Sequence, residues 1–370
     1  MMYFIKVKVN TMKRTGIVAA ILLAAVIIFS ACVRQQEYFR HSAVMTDYFD
    51  TVITLVAYTR TEDEFQKYAQ LAEARFTQLH QFYDIYNSYE GINNIKTVND
   101  MAGIEAVAVH RDILDLVKLA KEWTLSGQGK TNIALGPVLE VWHRCRTEGI
   151  ADPENARLPS QEELTAAAAF TDSSKIIIDE QEGTIFLAER HMRLDVGAIA
   201  KGYATELVAR ELQAAGLESG AISAGGNVRT IGGPRDGNRD RWAIGISDPD
   251  APIFSNDRSI DIVYINDAAV VTSGDYQRYY YVGGRRYHHL IDPDTLMPAN
   301  YYRALTVVTP DSGLADLLST ELFLSPYEES RALAESLEDV EVLWIMPDGE
   351  IRVTEGLNRM LRSYGATGRD

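Results

Sequence analysis

Residues 51–79 read TVITLVAYTRTEDEFQKYAQLAEARFTQL, and a change of hydrophobic period inside this stretch decides the class of fold. The segment from Thr51 to Tyr58 is β-branched and apolar, the mark of a buried strand. Beyond it the period lengthens. Phe65, Tyr68, Ala72, Phe76 and Leu79 fall three or four residues apart and line one face of a long amphipathic helix. Toward the C-terminus both patterns recur in alternation. Helical periods lie at 111–125, 161–169, 199–215, 314–324 and 328–337, and strand-like runs at 175–179, 184–188, 242–246, 260–265, 304–309 and 341–346. The run 86–99 loses the period and gains turn formers, which predicts an exposed loop, and the charge-rich 233–241 predicts a solvated one. Neither an internal repeat nor a Pro/Gly/Ser-rich linker divides the chain, so an α/β or α+β layered domain is expected.

In the other direction the chain begins with an address. Met12-Lys13-Arg14 precedes an uncharged, mostly apolar run from Gly16 to Phe29, and Phe29-Ser30-Ala31-Cys32 follows. A basic start, a short apolar segment and small residues before a cut make up a secretory signal, and the run is shorter than the roughly 20 residues a membrane span needs. An uncleaved anchor helix is the alternative. A cysteine after two small residues resembles a bacterial lipobox, although Phe29 stands where Leu is usual. On this reading residues 1–31 are a signal peptide, with 1–11 as an upstream extension. Cys32 is the lipidated first residue of the mature protein, 32–42 a tether, and the protein is held on the extracytoplasmic face of a bacterial cell membrane. The only other cysteine of the 370-residue chain is Cys145, which excludes a disulfide framework and a Cys-rich zinc site. The formal charge of −16 repels phosphate backbones and speaks against nucleic acid as a partner, while 46% hydrophobic residues suffice for a substantial core.

Four segments carry chemistry-bearing residues. In Asp195-Val-Gly-Ala-Ile-Ala-Lys201-Gly-Tyr203 a Gly-containing turn feeds a helix N-terminus, whose free N–H groups and dipole suit a phosphate, with Lys201 close by. The order of a Walker loop is absent, and an ordinary helix cap fits the same residues. Gly225-Gly226 before Asn227 makes a tight turn or a close approach of backbone. Asp316 and Thr320 stand four apart on a helix, so their oxygens point at one spot, where a hard cation such as Mg²⁺ or a plain back-bonded Thr would both fit. Finally, Thr272-Ser-Gly-Asp-Tyr276 precedes His288-His289-Leu-Ile-Asp292-Pro293. Adjacent His on a strand face opposite ways, and we assign His289 to the site, with Asp292 to orient it.

Taken in order, these segments resemble the ApbE family of FAD:protein FMN transferases. The resemblance runs from Met45-Thr-Asp-Tyr-Phe-Asp-Thr51 through Tyr86, Thr131-Asn-Ile-Ala-Leu-Gly-Pro137-Val-Leu-Glu-Val-Trp142, Asp195 to Tyr203, Gly225-Gly226-Asn227 and Thr272 to Tyr276. It continues through His289-Leu-Ile-Asp-Pro293 and Ala315-Asp-Leu-Leu-Ser-Thr320. It implies an α+β, T-fold-like layered domain of mixed sheets and helices over residues 43–365. It further implies an enzyme that splits FAD at its pyrophosphate, moves FMN onto a Ser or Thr hydroxyl of an extracytoplasmic acceptor as a phosphoester, and releases AMP. By the same resemblance Asp316, Thr320 and a backbone carbonyl near Ala198 hold Mg²⁺. Met45, Tyr86, Lys130, Thr131, Asn132, Asp195, Lys201 and Ile291 line the FAD site, and His289 with Asp292 takes the acceptor proton.

Acceptors implied are flavoprotein subunits of membrane redox complexes or secreted flavin-dependent reductases. Two positions depart from the family pattern: Asn132 replaces a frequent Asp, and Thr295-Leu296 replaces a common Thr-Gly. A Mg²⁺-dependent FAD pyrophosphatase giving FMN and AMP would carry the same motifs, and a lipid-anchored flavin-binding protein without turnover is a third reading.

Overall fold

A computed structural model describes residues 38–126, 129–251 and 259–369; the segment expected to be a signal peptide, Cys32 and the expected tether up to residue 37 lie outside the described residues. The chain winds around one eight-stranded sheet whose strands are β1 (Phe39–Tyr48), β2 (Thr51–Thr59), β3 (Gly220–Ala224), β4 (Asn227–Ile231), β5 (Ala269–Gly274), β6 (Ala304–Thr309), β7 (Glu341–Ile345) and β8 (Ile351–Val353). They neighbour one another in that order and every pair is antiparallel. Six helices separate β2 from β3: α1 (Glu62–Tyr83), α2 (Ile95–Asp100), α3 (Arg111–Leu125), α4 (Gly136–Ala151), α5 (Gln161–Ala168) and α6 (Ala200–Ala214). Two more, α7 (Ser312–Phe323) and α8 (Tyr327–Ser336), join β6 to β7. None of the helices among the described residues is long and apolar enough to cross a membrane.

The period change in residues 51–79 becomes the β2–α1 unit. Ile53, Leu55 and Ala57 alternate into the core, and Thr61 caps the helix by accepting from Glu64 N at 3.1 Å. The apolar stripe of α1, with α6 and α7, packs on one face of the sheet against Ile222, Val271, Leu305, Val307, Val342 and Trp344. The opposite face of β5 to β7 (Val270, Val308, Leu343, Ile345) is covered by the hairpin Trp242–Ser247/Ser259–Ile265 and by Leu357 and Leu361. Because it is covered on both sides, β6 is buried at every position. A third cluster joins Val138, Val141 and Trp142 of α4 and Leu164 of α5 to Tyr280 of the ribbon Tyr279–Val282/Arg285–His288.

Several expectations are corrected. Residues 39–42, read as tether, are the first half of β1 and pair with Ser42↔Val56 to Phe39↔Thr59 register. Polar side chains are compatible with an edge strand whose outer face meets solvent, which is why composition alone misread them. At the other end, Gly368 O accepts from Asp240 N at 2.6 Å and Arg241 N at 3.1 Å, so the folded chain passes residue 365. The supposed loop 86–99 ends in α2: Asn94 and Thr97 form a capping box, and Ile95 and Val98 are buried. The strands expected at 242–246, 260–265, 175–179 and 184–188 do form, the first two as a hairpin of their own and the other two with Val107–Ala108 in a small three-stranded sheet.

Candidate active site

Between the sheet, α7 and the α4 cluster lies a cleft of about 570 Å³. Of the thirteen residues assigned to catalysis, flavin or metal, eleven line it: Tyr86, Lys130, Thr131, Asn132, Asp195, Ala198, Lys201, His289, Ile291, Asp316 and Thr320. Met45 and Asp292 do not.

The floor is made where α6 meets α7. Asp195 Oδ1 accepts from Gly197 N at 2.9 Å, a local turn that starts the chain into α6, and Asp195 N donates to Ile133 O at 2.8 Å. Without a side-chain cap of its own, α6 receives one from α7: Asp316 Oδ2 accepts from Gly202 N at 2.8 Å. The Lys201 ammonium lies 3.4 Å from both Asp316 oxygens. So close a crossing needs Gly202, since a Cβ there would sit 2.2 Å from Ser312 O. Asp316 is 4% exposed and Thr320, one turn on, 8%. Asp316, Thr320 and Ala198 all line the cleft, and a carboxylate, a hydroxyl and a backbone carbonyl are hard-oxygen donors of the kind Mg²⁺ takes. Among the described residues no group of three or more His, Cys, Asp or Glu could hold a metal alone, so a cation here would complete its shell with water or substrate oxygens.

Lys130 to Asn132 form one wall. Lys130 Nζ reaches Asp292 Oδ1 at 2.9 Å and Asp294 Oδ2 at 2.6 Å. Burial would lower its pKa, but the bonds to Asp294 and Asp292 outweigh burial and raise it. Asn132 spends its side chain on the protein, accepting from Ala134 N (2.8 Å) and Ser173 Oγ (2.6 Å) and donating to Thr171 O (2.9 Å).

The two histidines face different surroundings, His288 as the last residue of the strand Arg285–His288 and His289 in the bend that follows it. His288 is tied to backbone, with Nε2 at 2.6 Å from Ala299 O and Nδ1 accepting from Leu290 N at 3.2 Å. His289 lines the cleft, and its Nδ1 is buried without a partner among the described residues. Burial first, then the charges of Arg278, His288, Arg146 and Lys201, push its pKa well below the usual imidazole value and keep it neutral. The expected His289–Asp292 pair is not formed. Asp292 is 2% exposed and bonded to Lys130 Nζ and, at 3.1 Å, to Asp294 N, because a carboxylate buried there needs a cation and Lys130 supplies it. Met45 is likewise reassigned: at its position in β1, opposite Ile53, the side chain turns into the core.

Other residues of the site were not anticipated. His143, on α4, lies 3.4 Å from the Tyr86 hydroxyl, and Arg278 lines the cleft. Glu321 binds the backbone of Lys130 and Thr131; a second carboxylate directly after Thr320, in a helix buried along nearly its whole length, was the one available signal. The glycine pair does both things expected of it. Gly225 and Gly226 (φ +55° and +99°) turn β3 into β4, and a Cβ on Gly225 would lie 2.2 Å from Thr51 Oγ1. In the Thr272 to Tyr276 segment, Thr272 Oγ1 pairs with Thr306 Oγ1 and Ser273 Oγ with Ser319 Oγ, both at 2.8 Å, which ties β5 to β6 and α7.

The comparisons with known proteins agree with this architecture. A family model described as the ApbE family matches residues 49–344. A FAD:protein FMN transferase of Klebsiella pneumoniae is 31% identical over 283 residues, 76% of this chain and 84% of that protein. One from Treponema pallidum is 30% identical over 306 residues, 80% and 82% of the two chains. The crystal structure of the ApbE protein from Thermotoga maritima superposes with a TM-score of 0.74 at 27% identity, over 88% of this chain and 99% of that one. A match spanning most of the chain, relatives at this identity and coverage, and a shared fold around the same layered sheet place the protein in one family: it belongs to the ApbE family.

Proposed function

We propose that this protein is a FAD:protein FMN transferase that moves FMN from FAD to a Ser or Thr hydroxyl of an extracytoplasmic acceptor, forming a phosphoester and releasing AMP. The observation that carries the reading is the meeting, in one cleft, of Asp316 and Thr320 beside Lys201 with a neutral His289 whose Nδ1 has no partner among the described residues. The relatives that bear this activity in their names support the same substrate pair.

In the proposed reaction the acceptor oxygen forms a bond to the phosphorus of the FMN half, the bridging P–O bond to the AMP half breaks, and AMP leaves with the bridging oxygen. His289 takes the hydroxyl proton; its lack of charge leaves a ring nitrogen free to do so. Lys201 holds phosphate oxygens, and the 130–132 wall and Tyr86 hold the rest of FAD, so that the attack is in line. Asp316, Thr320 and the Ala198 carbonyl would hold Mg²⁺, which supplies neutralisation of charge on the pyrophosphate oxygens. The acceptors proposed are flavoprotein subunits of membrane redox complexes or secreted flavin-dependent reductases, met at the membrane surface through a lipid on Cys32.

The test incubates the protein with FAD, Mg²⁺ and an acceptor domain and weighs the acceptor by intact mass spectrometry. A gain of one FMN less water, lost on adding chelator, supports transferase and metal together. Release of AMP and free FMN with every acceptor left unmodified would replace the transferase by a pyrophosphatase, and FAD binding without cleavage would leave only a flavin-binding protein.

A further inference from the structure

Helix α7 has two carboxylates, and only one of them faces the cleft floor. The other, Glu321, is 1% exposed. Among the described residues no Lys or Arg pairs with it; three N–H groups do. Lys130 N donates to Oε1 at 3.1 Å, Thr131 N to Oε2 at 2.6 Å, and Trp123 Nε1 to Oε2 at 3.1 Å. A carboxylate buried away from any cation is retained only where donors of this kind satisfy it. Here two of the donors are the backbone of the cleft wall itself. Residues 130–132 belong to no strand, so their buried N–H groups must find an acceptor outside the regular ladders. Thr131 Oγ1 adds a 3.4 Å contact to Leu317 O on the same helix.

We propose that Glu321 is a positioning residue: it bolts the Lys130–Asn132 wall to the helix that carries Asp316 and Thr320, and so fixes the width of the flavin cleft. The geometry of the bolt stands on its own hydrogen bonds, while its effect on FAD rests on the function proposed above. Glu321 touches no reacting atom. A shift of the wall relative to α7 would instead separate the groups that hold FAD from those that hold its pyrophosphate, and misplacement on the ångström scale is costly to a reaction built on positioning.

The test uses the full chain. Glu321→Gln keeps the shape but sets an NH₂ against a backbone N–H. It should weaken FAD binding at least tenfold by flavin fluorescence titration and lower kcat for AMP release. Trp123→Phe, which removes the indole donor but leaves both wall amides bonded to Glu321, should stay within twofold of wild type. Hydrogen exchange on the unmodified protein should show the Lys130 and Thr131 amides protected like those of α7, and in Glu321→Gln those two amides should exchange fast while α7 stays protected. Wild-type FAD affinity in Glu321→Gln, or fast exchange of both amides in the unmodified protein, overturns the assignment. The exchange result decides it even where Glu321→Gln fails to fold. Absence of FAD binding by the unmodified protein, with the two amides protected, would overturn the transferase reading and leave the bolt standing.

Discussion

Replacing Gly202 by alanine sets two physical effects against each other. In a helix alanine is favoured over glycine by about 0.5–1 kcal/mol, so propensity alone predicts a more stable protein. Packing predicts the reverse. The new methyl would lie 2.2 Å from Ser312 O and 2.4 Å from Asp316 Cβ, and neither atom is the end of a flexible side chain. To relieve contacts that short, α6 and α7 must part by about 1 Å, and overpacking of this kind costs about 1–3 kcal/mol. The expected net is a loss of about 1–2 kcal/mol, a fall in Tm of about 1–3 °C for a chain of this size. The same separation stretches the 2.8 Å bond from Gly202 N to Asp316 Oδ2, which both caps α6 and aims Asp316. Displacing a positioned group by about 1 Å can cost about 10²-fold in rate. Calorimetry, with AMP release measured across a Mg²⁺ titration, reads both effects. A Tm equal to or above that of the wild type, with full turnover, would refute the close crossing as the source of the site's geometry.

Asp316→Ala should abolish Mg²⁺-dependent turnover at a cost of only about 1–3 kcal/mol in stability, from the Gly202 N–H left without its acceptor; turnover that persists would remove Asp316 from the metal site. Lys201→Ala should raise the FAD concentration needed for half-maximal rate about tenfold, and an unaltered titration curve would exclude a phosphate contact. For His289→Ala, transfer should slow far more than FAD binding weakens; equal loss of both would make it a binding residue. The pH dependence follows from its lowered pKa. The folded protein keeps His289 uncharged below pH 6.5 whereas the unfolded chain takes up a proton there, so stability contributed above 6.5 is lost as pH falls toward the folded value. Denaturant midpoints measured from pH 8 to 5 should decline on the acid side in the wild type and decline less in His289→Ala, and identical slopes would contradict a buried neutral imidazole.

What the sequence determined by itself is what neighbouring residues encode. The period change at 51–79 specified β2 and α1, the Asp195 turn specified the entry to α6, and the four-residue spacing of Asp316 and Thr320 put both on one face of α7, because each depends on geometry within a few residues. Alternation allowed only one of the adjacent histidines into the site; that it is His289, in the bend after the strand, is seen in the structure.

Tertiary structure alone decided which side chains meet. Asp292 lies three residues from His289, yet it pairs with Lys130 across 162 positions of chain, since desolvating a carboxylate makes the nearest cation in space, not in sequence, its partner. Met45 faces the core because β1 pairs with β2 in one register, and a slip of one residue would have turned it outward. Glu321 meets Thr131 over a separation of 190 residues, a contact no local pattern contains. The spacing of residues along the chain supplied the elements and singled out Lys201, Asp316 and Thr320, while the family resemblance supplied Tyr86, the 130–132 wall and Ile291. Their partners, and with them the chemical state of each group, were set by contacts that exist only once the sheet, α6 and α7 have closed on one another.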